Sequence, residues 1–413
     1  MTIDARGTFR RIHRHFSPAL GLAGKFAGRG AVEVSASGAT VTLSDGRTML
    51  DFGSYAVTLL GHRNAAVVDA VRAQLDVLPT STRSLANPVA AEAAEALVRH
   101  LGGGLPRVCF GTNGADAVEA ATKLARLATG RTTIAAVAGG YHGKSLGALA
   151  LTHHHRFRDG LESVLGGTVH LDPGDPHAVA RLTEPLAALV FEPIQGENGV
   201  RILDEDVVRQ WCADAKAAGA FVIADEIQVG LRRCGEVSVA LAAGLPVDAV
   251  LLGKPLGGGV VPLSAAVCSD ELYRPLLEDP FRHTATFGGQ PLCVAAVPAA
   301  LEAIEETSAA RGTTLSQRML SGLTAVRDRH PDVVTEVRGR GLLWGVDFRT
   351  PDLAGEVQLG LAERGLLVSP CLSRPETLRL LPPLVASDAD VATALAALED
   401  AVVAARIAQG VPA

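Results

Sequence analysis

The sequence predicts an α/β fold: a large unit built on a mostly parallel sheet with flanking helices, followed by a smaller α+β unit at the C-terminus. Three observations point there. First, short unbroken apolar runs recur at Thr133 to Val137, Ala187 to Glu192, Ala220 to Asp225, Asp248 to Leu252 and Ser264 to Cys268. None alternates as a strand with one wet face would, so each suits a strand buried on both faces, as in a parallel sheet. Second, Val207, Val208, Trp211, Cys212 and Ala215 recur at helical spacing between two of these runs, with Asp204 ahead and Gly219 behind as cap signals. That makes a strand-helix-strand crossover, and such alternation from about residue 105 to 300 is the pattern of a layered α/β unit. Third, beyond Leu301 the pattern changes to an amphipathic helix and then short strands around Val337 to Phe348 and Thr377 to Leu381.

The composition agrees with a packed enzyme. Of 413 residues, 48% are hydrophobic and 20% charged, enough apolar surface to offset the entropy of ordering the chain. The formal charge of -6 provides no general attraction to nucleic acid or to an anionic membrane, and neither is expected as a partner. The six cysteines, Cys109, Cys212, Cys234, Cys268, Cys293 and Cys371, include no zinc-type spacing and read as reduced thiols. The N-terminal stretch carries Arg6, Arg10, Arg11 and Arg14 without an apolar core of the secretory kind, and no run of 18 apolar residues occurs. The expectation is a soluble, cytoplasmic protein.

Ligands of open α/β sheets sit at the carboxyl ends of strands, so the polar residues just past each apolar run are the candidates. The run ending at Ala224 leads into Asp225-Glu226-Ile227-Gln228, and the run ending at Leu252 leads into Gly253-Lys254-Pro255-Leu256-Gly257-Gly258-Gly259. Asp225 and Lys254 lie 29 residues apart, about one crossover unit. A lysine and a carboxylate at adjacent strand ends are what a pyridoxal phosphate site needs: the lysine forms a Schiff base and the carboxylate keeps the pyridine nitrogen protonated. A plain ion pair is the alternative. A third apolar stretch, Val108 to Gly111, leads into Thr112-Asn113-Gly114-Ala115-Asp116 and then a helix marked by Ala117, Ala120, Ala121, Leu124 and Ala128. The free amides of that helix start, with Gly114 permitting close approach, suit a phosphate; equally, Asn113 and Asp116 suit ordinary helix capping.

Several ordered motifs make the sequence resemble a class III aminotransferase of fold type I, most closely its putrescine and ornithine branch, over nearly the whole chain. They are Tyr141-His142-Gly143-Lys144-Ser145-Leu146-Gly147-Ala148, Glu192-Pro193-Ile194-Gln195-Gly196-Glu197, the Asp225 and Lys254 segments above, and Thr286-Phe287-Gly288-Gly289-Gln290-Pro291. Arg338-Gly339-Arg340-Gly341-Leu342 and Leu378-Arg379-Leu380-Leu381-Pro382-Pro383-Leu384 continue the series. The resemblance implies pyridoxal 5'-phosphate as cofactor, with Lys254 as the Schiff-base lysine that also moves a proton. Asp225 would partner the pyridine nitrogen, and Gln228 the ring hydroxyl oxygen. Tyr141 and His142 would contact the ring, and Gly114 and Ala115 would give backbone amides to the phosphate. Thr286 would reach the phosphate of the neighbouring subunit, which implies a homodimer with active sites at the interface.

On the substrate side the resemblance implies that Arg379 binds a carboxylate and that Glu197 masks it when an ω-amine donor enters; a structural ion pair between Glu197 and Arg379 is the alternative. Tyr55, in Gly53-Ser54-Tyr55-Ala56-Val57, matches the ornithine type and would meet the donor's amino or carboxylate group. The implied reaction moves an amino group from an ornithine-like or diamine-like donor to an oxo acid such as 2-oxoglutarate. The alternative on the same scaffold is elimination, replacement or carbon-carbon bond formation on an amino acid in specialised biosynthesis. The expected divisions are residues 1–50, an N-terminal segment contributing to the small unit and the active-site entrance; 51–305, the cofactor-binding large unit; and 306–413, the small unit. Asn113 and Ala115, where relatives commonly carry hydroxyl residues, leave the phosphate to backbone amides, while Asn198 and Gln290 depart from the family pattern near the expected pocket and interface. His153-His154-His155 is read as solvated or pocket-lining, and no metal is expected.

Overall fold

The computed structural model describes residues 3–408. Its largest sheet has seven strands: β1 (Arg107–Gly111), β2 (Thr133–Val137), β3 (Thr168–Leu171), β4 (Leu186–Phe191), β5 (Phe221–Asp225), β6 (Ala249–Leu252) and β7 (Ser264–Cys268). Their spatial order is β1-β7-β6-β5-β4-β2-β3. Strands β6, β5, β4, β2 and β3 pair in parallel. The Ser264–Cys268 run departs from the parallel expectation: β7 is antiparallel to both β6 and β1. Unbroken apolar character reports burial on two faces, not strand direction, which is why the run misled. Two antiparallel steps cancel, so β1 runs in the direction of β6, and its carboxyl end lies at the same sheet edge as theirs.

Both faces are covered, which accounts for the lack of alternation. On one face Ala117, Ala121 and Leu124 of the helix Gly114–Thr129 pack with Ile134, Val190, Ile223, Leu251 and Ala266. On the other, Trp211, Cys212 and Ala215 of the helix Glu205–Ala217 pack with Ala135, Leu189, Val222 and Ala224. Each fully buried branched side chain contributes roughly 1.5–3 kcal/mol. The crossover helix ends as its signals predict, with Asp204 accepting from Asp206 and Val207 amides and Gly219 in the left-handed region at φ 68.

Besides a two-stranded ribbon of Ile194–Gln195 with Arg201–Ile202, two further sheets flank this core. An antiparallel one joins Val334–Arg340, Leu343–Phe348, Thr377–Leu380 and Ser369–Pro370. Its apolar face shares one cluster with the helices Ala296–Thr307, Thr313–Arg329, Pro351–Glu363 and Asp388–Ala408. The other joins Glu33–Ser37, Thr40–Leu43 and Thr48–Asp51 with Leu366–Leu367, so the chain's first strands pair with its last quarter. No helix among the described residues is long and apolar enough to cross a membrane.

Candidate active site

The sheet edge described above opens into a cavity of about 410 Å³. Asp225 is the last residue of β5, Glu192 follows β4, Lys254 lies two residues past β6, and Thr112 follows β1; all line this cavity. The antiparallel β7 presents its beginning instead, with Val261, Pro262 and Leu263 on the wall and Ser264 Oγ donating to Asn113 O at 2.6 Å. Asn113, Gly114, Ala115, Tyr141, His142, Glu197 and Gln228 also line it. The fold thus brings together most residues singled out from sequence.

At the helix start the two readings of Asn113 and Asp116 coexist. Asn113 and Asp116 form a reciprocal capping box, with the Asn113 side chain accepting from the Asp116 amide and Asp116 accepting from the Asn113 and Thr112 amides. Gly114 and Ala115 are the first two helical residues, so their amides have no acceptor within the helix and remain available to an anion.

The buried Asp225 carboxylate is fixed by His142, whose Nδ1 lies 2.7 Å from Oδ2, and by the Ile227 amide at 3.2 Å from Oδ1. Burial alone would lower the His142 pKa; the hydrogen bond and charge of Asp225, with the charge of Glu192, outweigh it and the net shift is upward. His142 in turn is held by its backbone amide donating to Thr152 Oγ1 at 2.9 Å.

Lys254 sits in the left-handed region at φ 38, and its Nζ donates to Gln228 Oε1. Burial, opposed by Glu197 and reinforced by Arg379, brings the amine down to about 8 from an ordinary 10.5. Gln228 Oε1 also accepts from Arg379 Nη1 at 3.2 Å. A Cβ at Gly196 would displace the end of the Gln228 side chain, so glycine there lets Gln228 keep this place.

Arg379 is fully buried and lies behind the lining. Nη1 donates to Glu197 Oε1 at 2.7 Å and Nη2 to Pro370 O at 3.2 Å. The other Glu197 oxygen accepts from the Leu372 amide at 2.9 Å, so the carboxylate is held on both sides. Tyr141 is half-buried, edge-on to Phe157, and burial together with Glu197 and Glu192 pushes its phenol upward.

Two residues singled out from sequence lie elsewhere. Tyr55 is 64% exposed and outside the lining, in a segment where Ser54, Tyr55 and Ala56 all take positive φ; its neighbour Val57 reaches the cavity. Thr286 is exposed and outside the lining too, its carbonyl accepting from Gln290 Nε2 at 2.9 Å. Sequence reasoning assigned no role to Glu192, although it carries the signal that found Asp225, an acidic residue at the end of an apolar strand.

The residues present fit pyridoxal phosphate. Gln228 Nε2 and His142 Nε2 are buried polar atoms with no partner among the described residues. A cation, an anchored carboxylate, an aromatic side chain and two open helix amides surround the same space.

Comparison with known proteins gives a consistent result. The family description "Aminotransferase class-III" matches residues 30–402. The putrescine aminotransferase of Pectobacterium atrosepticum is 34% identical over 384 residues, 90% of this chain and 82% of that protein. Among solved structures, the ornithine aminotransferase of Toxoplasma gondii superposes with a TM-score of 0.87 at 26% identity, covering 98% of this chain and 96% of that one. An amine transaminase from an uncultivated Pseudomonas species, solved with pyridoxal phosphate bound, gives 0.83 at 27% identity, covering 91% and 95%.

Proposed function

Because the chain belongs to the class-III aminotransferases and is a pyridoxal phosphate-dependent aminotransferase of fold type I, we propose that its donor is an ornithine-like or diamine-like amine and its acceptor an oxo acid such as 2-oxoglutarate. The observation that carries this reading is the buried Arg379–Glu197 pair behind the cavity. A guanidinium matches a substrate carboxylate in geometry and charge. With Glu197 on it the wall is neutral toward an ω-amine; with Glu197 withdrawn it receives the acceptor. The names of the putrescine and ornithine relatives support the donor class. Family membership does not favour elimination, replacement or carbon-carbon bond formation.

Bound pyridoxal phosphate supplies a protonated ring that takes up the electron pair left when the donor loses its proton. Asp225, oriented by His142, holds positive charge at the ring nitrogen. Gln228 offers its unpartnered Nε2 to the ring hydroxyl oxygen, Gly114 and Ala115 hold the phosphate through their amides, and Tyr141 fixes the ring's orientation. Lys254 Nζ moves the proton, a task suited to an amine whose pKa lies near the working pH. Tyr55, exposed two residues from Val57 of the lining, would meet the donor on the solvent side.

We further propose a homodimer in which Thr286 completes the partner's phosphate site. The strongly exposed Phe281, Phe287 and Leu85, close in sequence to Thr286 or bonded through Arg83 to its loop, support this, since large apolar side chains beside an interface are ordinarily covered. The six free cysteines, four of them buried, suit a reducing cytoplasm. For the divisions 1–50, 51–305 and 306–413, the pairing of Leu50 with Leu366 supports the first serving the last.

Donors labelled with ¹⁵N at the ω-amine test the reading. Transfer of label to 2-oxoglutarate, with one carbonyl product per site in the absence of acceptor, is expected; label retained in the donor-derived product would exclude amino transfer. Lys254→Ala should lower turnover by about 10²–10⁴ or more.

A further inference from the structure

Glu192 is buried against the cavity and makes no ion pair among the described residues. Its two oxygens serve two different segments: Oε1 accepts from the Tyr141 amide at 2.8 Å and Oε2 from the Gly196 amide at 3.3 Å. Tyr141 faces the cavity, and Gly196 immediately precedes Glu197, which masks Arg379. A buried carboxyl with only backbone partners is costly and would be replaced by an apolar residue if packing were its sole purpose. An amide would not serve equally, because glutamine has one acceptor oxygen and would turn an NH₂ toward the other N–H. The same two segments meet again through Gln195, whose Nε2 donates to Ala138 O at 2.9 Å and whose Oε1 accepts from Asn198 Nδ2 at 2.9 Å. Asn198, which departs from the family pattern, therefore belongs to this brace. Burial and the nearby Asp225 push the Glu192 carboxyl up to about 7, against the opposing charge of His142.

We propose that Glu192 is a positioning residue that locks Tyr141 and the Gly196–Glu197 turn into one unit, so that the ring-contacting residue and the carboxylate mask shift together. The proposal rests on the functional reading above for what the two segments do, and on the hydrogen bonds alone for their coupling. Hydrogen exchange on the full chain saturated with pyridoxal phosphate tests it. In Glu192→Ala both amides lose their acceptor, and peptides covering residues 138–142 and 194–198 should each exchange at least about tenfold faster while β5 and β6 keep their protection. In Glu192→Gln only one of the two should respond, and this variant carries the test if the alanine form does not fold. The effects of Glu192→Gln and Glu197→Gln on the KM for 2-oxoglutarate should combine to less than their product, since both act on one unit. Unchanged exchange in both segments, uniform deprotection of the whole sheet, or multiplicative KM effects would each overturn the proposal. Failure of the functional reading shows separately, as absence of ¹⁵N transfer by the unsubstituted enzyme.

Discussion

Lys254 is placed where its charge is least welcome. The folded protein holds its amine at about 8, whereas the ordinary value is 10.5. Between those values the unfolded chain binds the proton and the folded one does not, so stability rises with pH across that window, and below pH 8 the full penalty applies. Lys254→Met in cofactor-free protein should therefore add about 3 kcal/mol of stability at pH 7. The gain should shrink as pH passes 8 and vanish near 10.5, read from urea unfolding at several pH values. A stabilising substitution that abolishes turnover is the mark of a residue retained for chemistry at the expense of the fold.

At the scale of single elements, the helix Gly114–Thr129 joins stability to function through its first turn. Its capping box uses side chains of Asn113 and Asp116, leaving the amides of Gly114 and Ala115 open. Asn113→Ala should cost about 1 kcal/mol in thermal unfolding, with cofactor affinity falling as the turn frays. The elements themselves were largely legible. Thr133–Val137 and Ser264–Cys268 begin and end where their apolar runs do, because burial on two faces leaves an unbroken signature. Strand β3, Thr-Val-His-Leu at the sheet edge and only half-buried for three of its four residues, carries no such signature. The reversed direction of β7 leaves none either. In the site, strand ends identified Asp225 and Lys254, but the His142–Asp225 contact joins residues 83 positions apart, and the Leu372 amide that holds Glu197 acts through backbone. Backbone donors have no residue type, so no motif announces them.

For the whole molecule, the exposed Phe281, Phe287 and Leu85 set the expectation that two chains associate. Sedimentation should give a species of about twice the 42.7 kDa chain mass, and Phe281→Asp should shift it toward monomer by placing a charge in an apolar contact. Loss of Thr286 from the neighbouring site should then weaken cofactor retention in step with dissociation, measurable by diluting the protein and following the bound cofactor's absorbance.

The place of β1 has a consequence for biosynthesis of the chain itself. This edge strand has a single neighbour, β7, whose residues are made 157 positions later. On a ribosome adding roughly 5–20 residues per second, β1 waits about 8–30 s for that neighbour. By the end of the wait the nascent chain carries the parallel strands, and Asp225 and Lys254 emerge before β7 does. What it lacks is the fixed seat for Gly114 and Ala115. Ribosome-held chains that expose Lys254 but not the Ser264–Cys268 strand should therefore fail to retain pyridoxal phosphate, and uptake should begin only once β7 has cleared the exit tunnel, leaving the Arg379–Glu197 pair, whose arginine is made later still, as the last part of the site to form.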